Sequence, residues 1–244
     1  MSSDPRYNLL APAWDSSESF CLMHERPNVE ASRYTLMLPD IPDYGFYDAE
    51  PLWGSQYLWP AVRSIVSSHT FPSRRAFDLG CGNGSSSHML SELGFDVTAI
   101  DPSATGIAIA KQAYPHCRFE IGTGYEDLAK RFGQFGLVLS LEVLQHCAYP
   151  RKIAQTLFEL VEPGGMLIVS VTYHSYLKNL ALALTGQLDR HLNALWDAGP
   201  LKFFSMSTCK SLLRNVGFRE VEFHRVGRIP VLAKSLIGVA RKDL

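Results

Sequence analysis

Short apolar runs and helical stretches alternate along the chain from Arg75 onward. The apolar runs predict β-strands at residues 76–79, 96–100, 118–121, 137–140 and 166–171. The helical stretches between them end in stop signals, such as Gly94 and the Pro-Gly-Gly that precedes the fifth strand. This alternation is typical of a parallel sheet whose strands are joined by crossover helices.

The order of elements changes after the fifth strand. Residues 173–204 form an aromatic-rich stretch that is too long for an ordinary connection, and a helix at about 208–215 follows. Two further strands are predicted near 221–224 and 236–240. Because no helix separates these two strands, an antiparallel edge is expected. The predicted fold class is α/β, a doubly wound, seven-stranded, mostly parallel, Rossmann-like sheet with an antiparallel edge strand.

The first seventy residues lack a sustained period. They carry scattered prolines and aromatic residues, and one helical face begins late, with Val62, Ile65 and Val66 at helical spacing. We expect residues 1–70 to form a lid with one helix that covers the substrate. Residues 71–244 should form the main ligand-binding domain.

Composition and charge exclude several classes of protein. Of 244 residues, 46% are hydrophobic and 19% are charged, which is ordinary for a folded domain, and a formal charge of -1 is too small for a domain that binds nucleic acid. No apolar run is long enough to cross a bilayer, and the first residues lack the apolar core of a signal peptide. The five cysteines include no Cys-x-x-Cys pair. We therefore expect a soluble, cytoplasmic protein with reduced thiols and no membrane span.

A glycine-rich turn follows the first predicted strand, in the order Asp78-Leu-Gly-Cys-Gly-Asn-Gly. Glycines at such a turn let a ligand approach the backbone closely. Asp101 stands 21 residues after Gly80, at the end of the second strand, where a carboxylate in a doubly wound fold accepts hydrogen bonds from ribose hydroxyls. Alternatively, Asp101 caps the helix that begins beside Pro102. The turn and the acid together predict a nucleoside site.

The spacing of these glycines separates two kinds of nucleoside. Dinucleotide sites carry Gly-x-Gly-x-x-Gly, with a helix amino end facing a pyrophosphate, whereas this turn reads Gly-x-Gly-x-Gly after Asp78. A carboxylate would repel a pyrophosphate and attract an ammonium group. The pattern therefore favours a nucleoside that carries an ammonium group and disfavours an NAD-linked oxidoreductase.

These motifs resemble those of the class I S-adenosylmethionine-dependent methyltransferases. The resemblance covers roughly residues 75–242 and includes the Gly-x-x-x-Glu-Asp-Leu stretch that begins at Gly122. It implies S-adenosylmethionine as the cofactor of residues 71–244. In the family's order, the residues that bind the cofactor would be Asp78, Gly80, Cys81, Gly82, Asp101, Pro102, Tyr125, Glu126 and Leu141.

The resemblance also assigns parts of the cofactor to these residues. Asp78 and the glycine turn would hold the methionine part, Asp101 the ribose, and Tyr125 with Glu126 the adenine. Relatives often carry a short acid where this chain has Gly124, so recognition of the adenine amino group would pass to Glu126 or to the backbone. In the alternative, Tyr125 only covers the edge of the sheet.

Residues 141–146 follow the fourth strand at the carboxyl edge of the sheet, where open α/β folds bind their ligands. Methyl transfer from a sulfonium to a hydroxyl needs an acceptor held in line and a base that removes its proton. His146 suits such a base because imidazole is neutral near working pH. Glu142, four residues earlier, would orient His146 or take the proton itself.

This segment resembles in particular that of the ubiquinone-biosynthesis O-methyltransferases. Their corresponding stretch reads Glu-x-x-Glu-His and is associated with a divalent metal, whereas this chain has Gln145 in place of the second acid. Because hard cations prefer several oxygen ligands, we predict no tight metal. Two alternatives stay open, a weak metal held by Glu142 and His146, and a His146 that only hydrogen-bonds the loop.

The aromatic-rich stretch at 173–204 is predicted to be an inserted cap. Apolar residues at helical spacing, such as Leu177 and Leu184, predict a short helix over the mouth of the pocket, although a homodimer contact is the alternative. With the aromatic leader, the cap would enclose a flat or lipophilic small molecule. The sequence therefore predicts a small-molecule O-methyltransferase. An N-methyltransferase is the runner-up, and a non-catalytic nucleoside sensor or partner subunit is the alternative from another class.

Overall fold

Seven strands form one sheet in the computed structural model, which describes residues 43–52, 54–193 and 195–244. The order of strands across the sheet is β3-β2-β1-β4-β5-β7-β6. The strands are β1 (Arg75–Leu79), β2 (Asp96–Asp101), β3 (Arg118–Ile121), β4 (Phe135–Leu141), β5 (Val161–Thr172), β6 (Val221–Val226) and β7 (Ser235–Arg241). All seven predicted strands are confirmed.

Eight helices lie among the described residues, in addition to short 3-10 turns. They are α1 (Ser55–Ser67), α2 (Ser85–Glu92), α3 (Ala104–Ala113), α4 (Leu128–Phe132), α5 (Pro150–Leu160), α6 (Tyr176–Leu184), α7 (Leu188–Leu192) and α8 (Met206–Asn215). Pro150 opens α5 at its first turn, where a proline costs no hydrogen bond. No helix in the described parts of the chain is long and apolar enough to cross a membrane.

Apolar side chains cover both faces of the sheet, as the doubly wound prediction requires. One core lies between the sheet and α4, α5 and α8, with Phe77 and Leu157 fully buried in it. The other lies against α1, α2 and α3, with Val62 and Met89 fully buried. The central strands therefore read as continuous apolar runs because both of their faces are buried.

The reversed strand is β7, which pairs antiparallel with both β5 and β6. The predicted antiparallel pairing is confirmed, and β7 lies one position in from the edge, with β6 outside it. The side chains explain this order. Six successive residues of β7 from Ser235 are buried, whereas β6 alternates half-buried and exposed positions. A strand buried on both faces belongs inside a sheet, and an alternating one can stand at its rim.

Parallel pairing brings three strand ends to one edge. Asp78 in β1 pairs with Ala99 in β2 and Leu139 in β4, so the turns after β1, β2 and β4 are neighbours. This carboxyl edge is where open α/β sheets bind ligands. Of the predicted lid, residues 1–42 lie outside the described residues, and residues 43–52 and α1 are described below.

Candidate active site

The glycine turn joins β1 to α2. Gly80 and Gly82 have φ angles of 81° and 55°, a region that L side chains rarely adopt. The amides of Gly80 and Cys81 both donate to the carbonyl of Ile100, at 2.9 and 3.1 Å. A Cβ on Gly80 would lie 2.3 Å from Cγ2 of Val143, in the loop after β4. Glycine is therefore required here both by the turn and by the neighbouring loop.

Asp101 fastens the glycine turn to the end of β2. One carboxylate oxygen accepts the amide of Gly82 at 2.9 Å, and the other accepts the amide of Ser103 at 2.8 Å. The cap of α3 is Ser103, whose hydroxyl accepts the amide of Gly106, so Asp101 is not the helix cap. Burial raises the pKa of Asp101, and the two amide hydrogen bonds oppose that rise.

Asp78 lies beneath the glycine turn and is 1% exposed. Its carboxylate accepts a hydrogen bond from the hydroxyl of Ser87, on α2, at 2.7 Å. Burial raises the pKa of Asp78 to about 7, against the lowering effect of Ser87. Burial also raises the pKa of the neighbouring Cys81 well above its usual value, so this side chain stays a thiol. Cys81 fills space in the turn.

The predicted adenine residues lie in the loop after β3. Glu126 accepts the amide of Thr123 at 2.7 Å and pairs with Arg131 at 2.9 Å. The hydroxyl of Tyr125 accepts the amide of Tyr149 at 3.2 Å, which places this ring against the loop before α5. Gly124 is buried, and a Cβ on it would lie 2.7 Å from Ile153. The packing therefore explains why this chain carries no acid at position 124.

Two other predicted cofactor residues flank the same edge. Pro102 is exposed and directly precedes the Ser103 cap, and Leu141 is the last residue of β4 and is half-buried. The structure thus gathers Asp78, Asp101 and Leu141 at three adjacent strand ends. Tyr125 and Glu126 follow β3 in the chain, and Tyr125 reaches the loop before α5.

Residues 43–50, here called the strap, cross the outer side of the glycine turn. Asp43 accepts hydrogen bonds from the hydroxyls of Ser103, at 2.6 Å, and Thr105, at 2.8 Å. Asn83 donates its amide to the carbonyls of residues 48 and 50, at 3.0 and 2.8 Å. The ring of Phe46 lies over Gly82, where an added Cβ would meet it at 2.7 Å.

The strap lies within the predicted lid of residues 1–70, but its hydrogen bonds to the glycine turn are not predicted, because no periodic pattern marks this segment. The signal that could have found it is Asn83 inside the glycine turn, an amide with two donors and no other evident task. The hydrogen bonds from Ser103, Gly45 and Thr105 lower the pKa of Asp43 to about 2, so the carboxylate stays charged.

Glu142 opens the loop after β4 with a left-handed φ of 57°. Such a conformation is strained for a residue with a side chain and persists where its surroundings hold it. Here the carboxylate accepts hydrogen bonds from the hydroxyls of Ser170, at 2.8 Å, and Thr172, at 3.0 Å. It also accepts one from the side-chain amide nitrogen of Gln145, at 3.0 Å. Neutral donors therefore surround this carboxylate.

His146 takes its orientation from the inserted cap rather than from Glu142. Its Nδ1 atom lies 2.9 Å from the carbonyl oxygen of Ala198. Because a carbonyl only accepts, Nδ1 carries the proton and Nε2 keeps its lone pair. Burial lowers the pKa of His146, while the carbonyls of Ala198 and Gly199 oppose that change. The imidazole is thus a neutral base with Nε2 available.

Strap, loop and cap meet in an aromatic cluster made of Tyr44, His146 and Trp196. The ring centre of Tyr44 lies 5.7 Å from the ring centre of His146 and 5.7 Å from that of Trp196. The ring centres of His146 and Trp196 are 6.2 Å apart. The helix predicted within residues 173–204 is present as α6, which has no buried residue. The described contacts between cap and reaction centre come instead from residues 196–202.

The donor set does not suit a divalent metal. The described residues contain no group of three or more His, Cys, Asp or Glu side chains that could hold one. The carboxylate of Glu142 already accepts three hydrogen bonds, and one of them comes from Gln145, which points an N–H at it. A hard cation would need those oxygen lone pairs and further oxygen ligands.

The order of strands, the single reversed strand and the glycine turn followed by an acid define the fold of the class I methyltransferases. A family model described as a methyltransferase domain matches residues 56–222, and the chain belongs to this family. The sequence-based prediction of the family is confirmed.

Curated relatives carry the name ubiquinone biosynthesis O-methyltransferase. One from a Caulobacter species is 40% identical over 120 residues, which are 48% of this chain and 47% of that protein. One from Ruegeria pomeroyi is 32% identical over 169 residues, which are 66% of each protein. The chain thus spans about half the length of the first of these relatives.

Solved structures share the fold at low identity. The magnesium protoporphyrin IX methyltransferase of Synechocystis, with bound SAH, has a TM-score of 0.57 at 23% identity, over 75% of this chain and 81% of that one. An O-methyltransferase family protein from Burkholderia thailandensis has a TM-score of 0.59 at 15% identity, over 76% of this chain and 56% of that one. These likenesses support the Rossmann-like fold.

Proposed function

We propose that this protein is an S-adenosylmethionine-dependent O-methyltransferase that acts on a small, flat or lipophilic molecule. The observation that carries the proposal is the hydrogen bond from Nδ1 of His146 to Ala198, which leaves Nε2 as a base at the carboxyl edge of the sheet. The names of the curated relatives support the same chemistry. An acceptor hydroxyl beside Nε2 would lose its proton to this atom.

Within this proposal, the three strand ends would hold the cofactor. Asp78 would attract its ammonium group, the carboxylate of Asp101 would bind the ribose, and Tyr125, Glu126 and Pro102 would hold the adenine. Leu141 would contact the adenosine or the methionine chain, and Gly80, Cys81 and Gly82 would let the cofactor approach the backbone. When bound, the cofactor would supply an activated methyl group, whose carbon–sulfur bond breaks as the acceptor oxygen bonds to the methyl carbon, with neutral SAH as the leaving group.

The chain's own residues then have separate tasks. The buried setting of Asp78 keeps water from an ammonium group and so strengthens the attraction between the two charges. His146 holds the acceptor proton at Nε2, and the aromatic cluster of Tyr44, His146 and Trp196 limits the access of water. Glu142 has no hydrogen bond to His146 among the described residues, so its task in this proposal is to hold the loop.

We also propose a cytosolic setting, a homodimer and no nucleic-acid partner. Four described cysteines are free thiols, Cys81, Cys117, Cys147 and Cys209, as expected for a reducing compartment. The near-zero formal charge disfavours nucleic acid. The exposed apolar residues of α6, including Tyr176 and Leu184, support a contact with a second copy.

Methyl transfer tests the proposal directly. The purified protein should bind SAH in a calorimeter and transfer labelled methyl groups from S-adenosylmethionine to members of a panel of phenols, aliphatic alcohols and aromatic amines. Transfer to phenols or alcohols that His146→Ala reduces by about 100-fold is the expected result. Binding of SAH without transfer to any member would favour a nucleoside sensor, and transfer only to amines would overturn O-methylation.

A further inference from the structure

Gln145 joins the inserted cap to the reaction centre. Its main-chain carbonyl accepts the amides of Leu201, at 2.7 Å, and Lys202, at 2.9 Å. Its side-chain Nε2 donates to Glu142 at 3.0 Å. The residue is 2% exposed, so its whole side chain lies inside the protein at the loop that follows β4.

One polar atom of this side chain is left over. The amide oxygen Oε1 of Gln145 is buried and has no hydrogen-bond partner among the described residues. Turning the amide over would place this oxygen against the carboxylate of Glu142, and the two acceptors would repel each other. A buried acceptor without a donor is costly and rare in proteins, so this atom requires a donor from outside the polypeptide, which is a water or a bound molecule.

The donor is a neutral group rather than a cation. A divalent ion between Glu142 and Gln145 would displace the N–H that now links them, while Ser170 and Thr172 still direct their hydroxyls at the carboxylate. One carboxylate, one amide oxygen and one imidazole would remain as ligands, which is a weak set for a hard cation. An O–H or N–H group satisfies Oε1 without breaking any of these hydrogen bonds.

We propose that Gln145 binds the methyl acceptor. Its Oε1 accepts a hydrogen bond from an O–H or N–H of the acceptor, separate from the hydroxyl that gives its proton to His146. The amide thereby takes the place of the divalent metal that the Glu-x-x-Glu-His stretch of the resembling enzymes is associated with. Glu142, held at φ 57° by its own amide's bond to Ser170, fixes the amide in this orientation. The inference rests on the proposed function.

A metal-binding experiment tests whether Gln145 takes the place of a divalent metal, and it needs no methyl transfer. When Mn²⁺ is titrated into the 244-residue chain, electron paramagnetic resonance should detect no Mn²⁺ site that depends on Glu142. Gln145→Glu restores two adjacent carboxylates and should bind Mn²⁺ at least about tenfold more tightly than the unmodified protein. Gln155→Glu is the matched control, because Gln155 donates to Glu159 at 2.7 Å on an exposed helix face. Mn²⁺ binding by the unmodified protein that Glu142→Gln abolishes would overturn the inference.

A kinetic experiment tests whether Gln145 binds the methyl acceptor. It uses an acceptor from the panel above that carries a second O–H or N–H group. Gln145→Met should raise the KM for this acceptor about tenfold, the usual effect of losing one neutral hydrogen bond, and leave the affinity for SAH unchanged. Gln155→Met should change neither. An unchanged KM in Gln145→Met would refute acceptor binding by Gln145.

A second variant covers the case in which Gln145→Met does not fold. Gln145→Asn keeps the amide and withdraws it by one methylene, so it should raise the same KM. If no panel member is methylated, the proposed function fails, and the Mn²⁺ titration still decides whether Gln145 excludes a metal. The two failures are therefore distinguishable.

Discussion

Nδ1 of His146 donates to the carbonyl oxygen of Ala198, 2.9 Å away and 52 residues further along the chain. This bond sets the tautomer of a residue in the β4 loop from within the inserted cap. Ala198 therefore determines which imidazole nitrogen of His146 can accept a proton.

Replacing His146 should separate chemistry from cofactor binding. His146→Ala should lower kcat by roughly 100-fold, since it removes the base, and leave the affinity for SAH unchanged. Rates with the acceptor found in the panel and calorimetry with SAH measure the two effects. His116→Ala is the control, because His116 is exposed on the protein surface. A normal kcat in His146→Ala would dismiss the base assignment.

The pH dependence follows from the same residue. Burial lowers the pKa of His146 below its ordinary 6.5, and the base acts in its deprotonated form. Activity should therefore rise with pH along a limb that lies below pH 6.5 and should be level at neutral pH. A pH profile of kcat/KM for the acceptor, measured at saturating S-adenosylmethionine so that cofactor affinity does not contribute, checks this. A limb centred above 7 would contradict the neutral imidazole described here.

Asp78 should couple cofactor binding to pH. Burial raises its pKa to about 7, and an ammonium group beside it would lower that pKa. SAH affinity should therefore increase roughly tenfold between pH 6 and 8, as the carboxyl ionises. Calorimetry in buffers of different ionisation enthalpy should detect proton release. Asp78→Asn should bind SAH more weakly and with no such pH dependence. A pH-independent affinity in the unmodified protein would refute the coupling.

The strap should contribute to cofactor affinity through Asp43. Asp43→Asn weakens the bonds to Ser103 and Thr105 and should lower the affinity for SAH by about 5-fold, a modest effect because the carboxylate is exposed. Asp48→Asn is the matched control, since among the described residues the Asp48 side chain accepts only the amide of Glu50, within the strap itself. Equal affinities of the two variants would show that the strap is not part of the cofactor site.

Acid should loosen the same attachment. The folded pKa of Asp43, about 2, lies below its ordinary 3.8, so the carboxylate's contribution is present above pH 4 and is lost as the pH falls toward 2. The difference in stability between the unmodified protein and Asp43→Asn should therefore shrink over that range in acid titrations followed by circular dichroism.

Gly80→Ala should combine backbone strain with a clash against Val143. We expect a loss of about 2 to 4 kcal/mol in the free energy of unfolding, together with loss of SAH binding. Gly94→Ala is the matched control. Gly94 has a φ of 83°, close to the 81° of Gly80, and a Cβ added to it would meet no atom within 4 Å. That variant should cost only about 1 to 2 kcal/mol. Denaturant unfolding compares the two, and equal losses would show that Val143 moves aside.

The sequence by itself determined the strands, the crossover helices and the glycine turn. Apolar runs such as that of β4 and turn residues such as Pro150 express local preferences, which short stretches of chain carry on their own. Asp78 and Asp101 could be assigned to one site because parallel strands end at a common edge.

Only the tertiary structure decided which distant segments contact one another at the carboxyl edge of the sheet. Asp43 meets Ser103 across 60 residues, His146 meets Ala198 across 52, and Gln145 meets Leu201 through main-chain atoms. Such bonds leave no periodic or turn signal, because the partners are polar groups in irregular segments far apart in the chain. The order of the last two strands also depends on tertiary structure. β7 lies between β5 and β6 because it is buried on both faces, whereas β6 is partly exposed and stands at the edge.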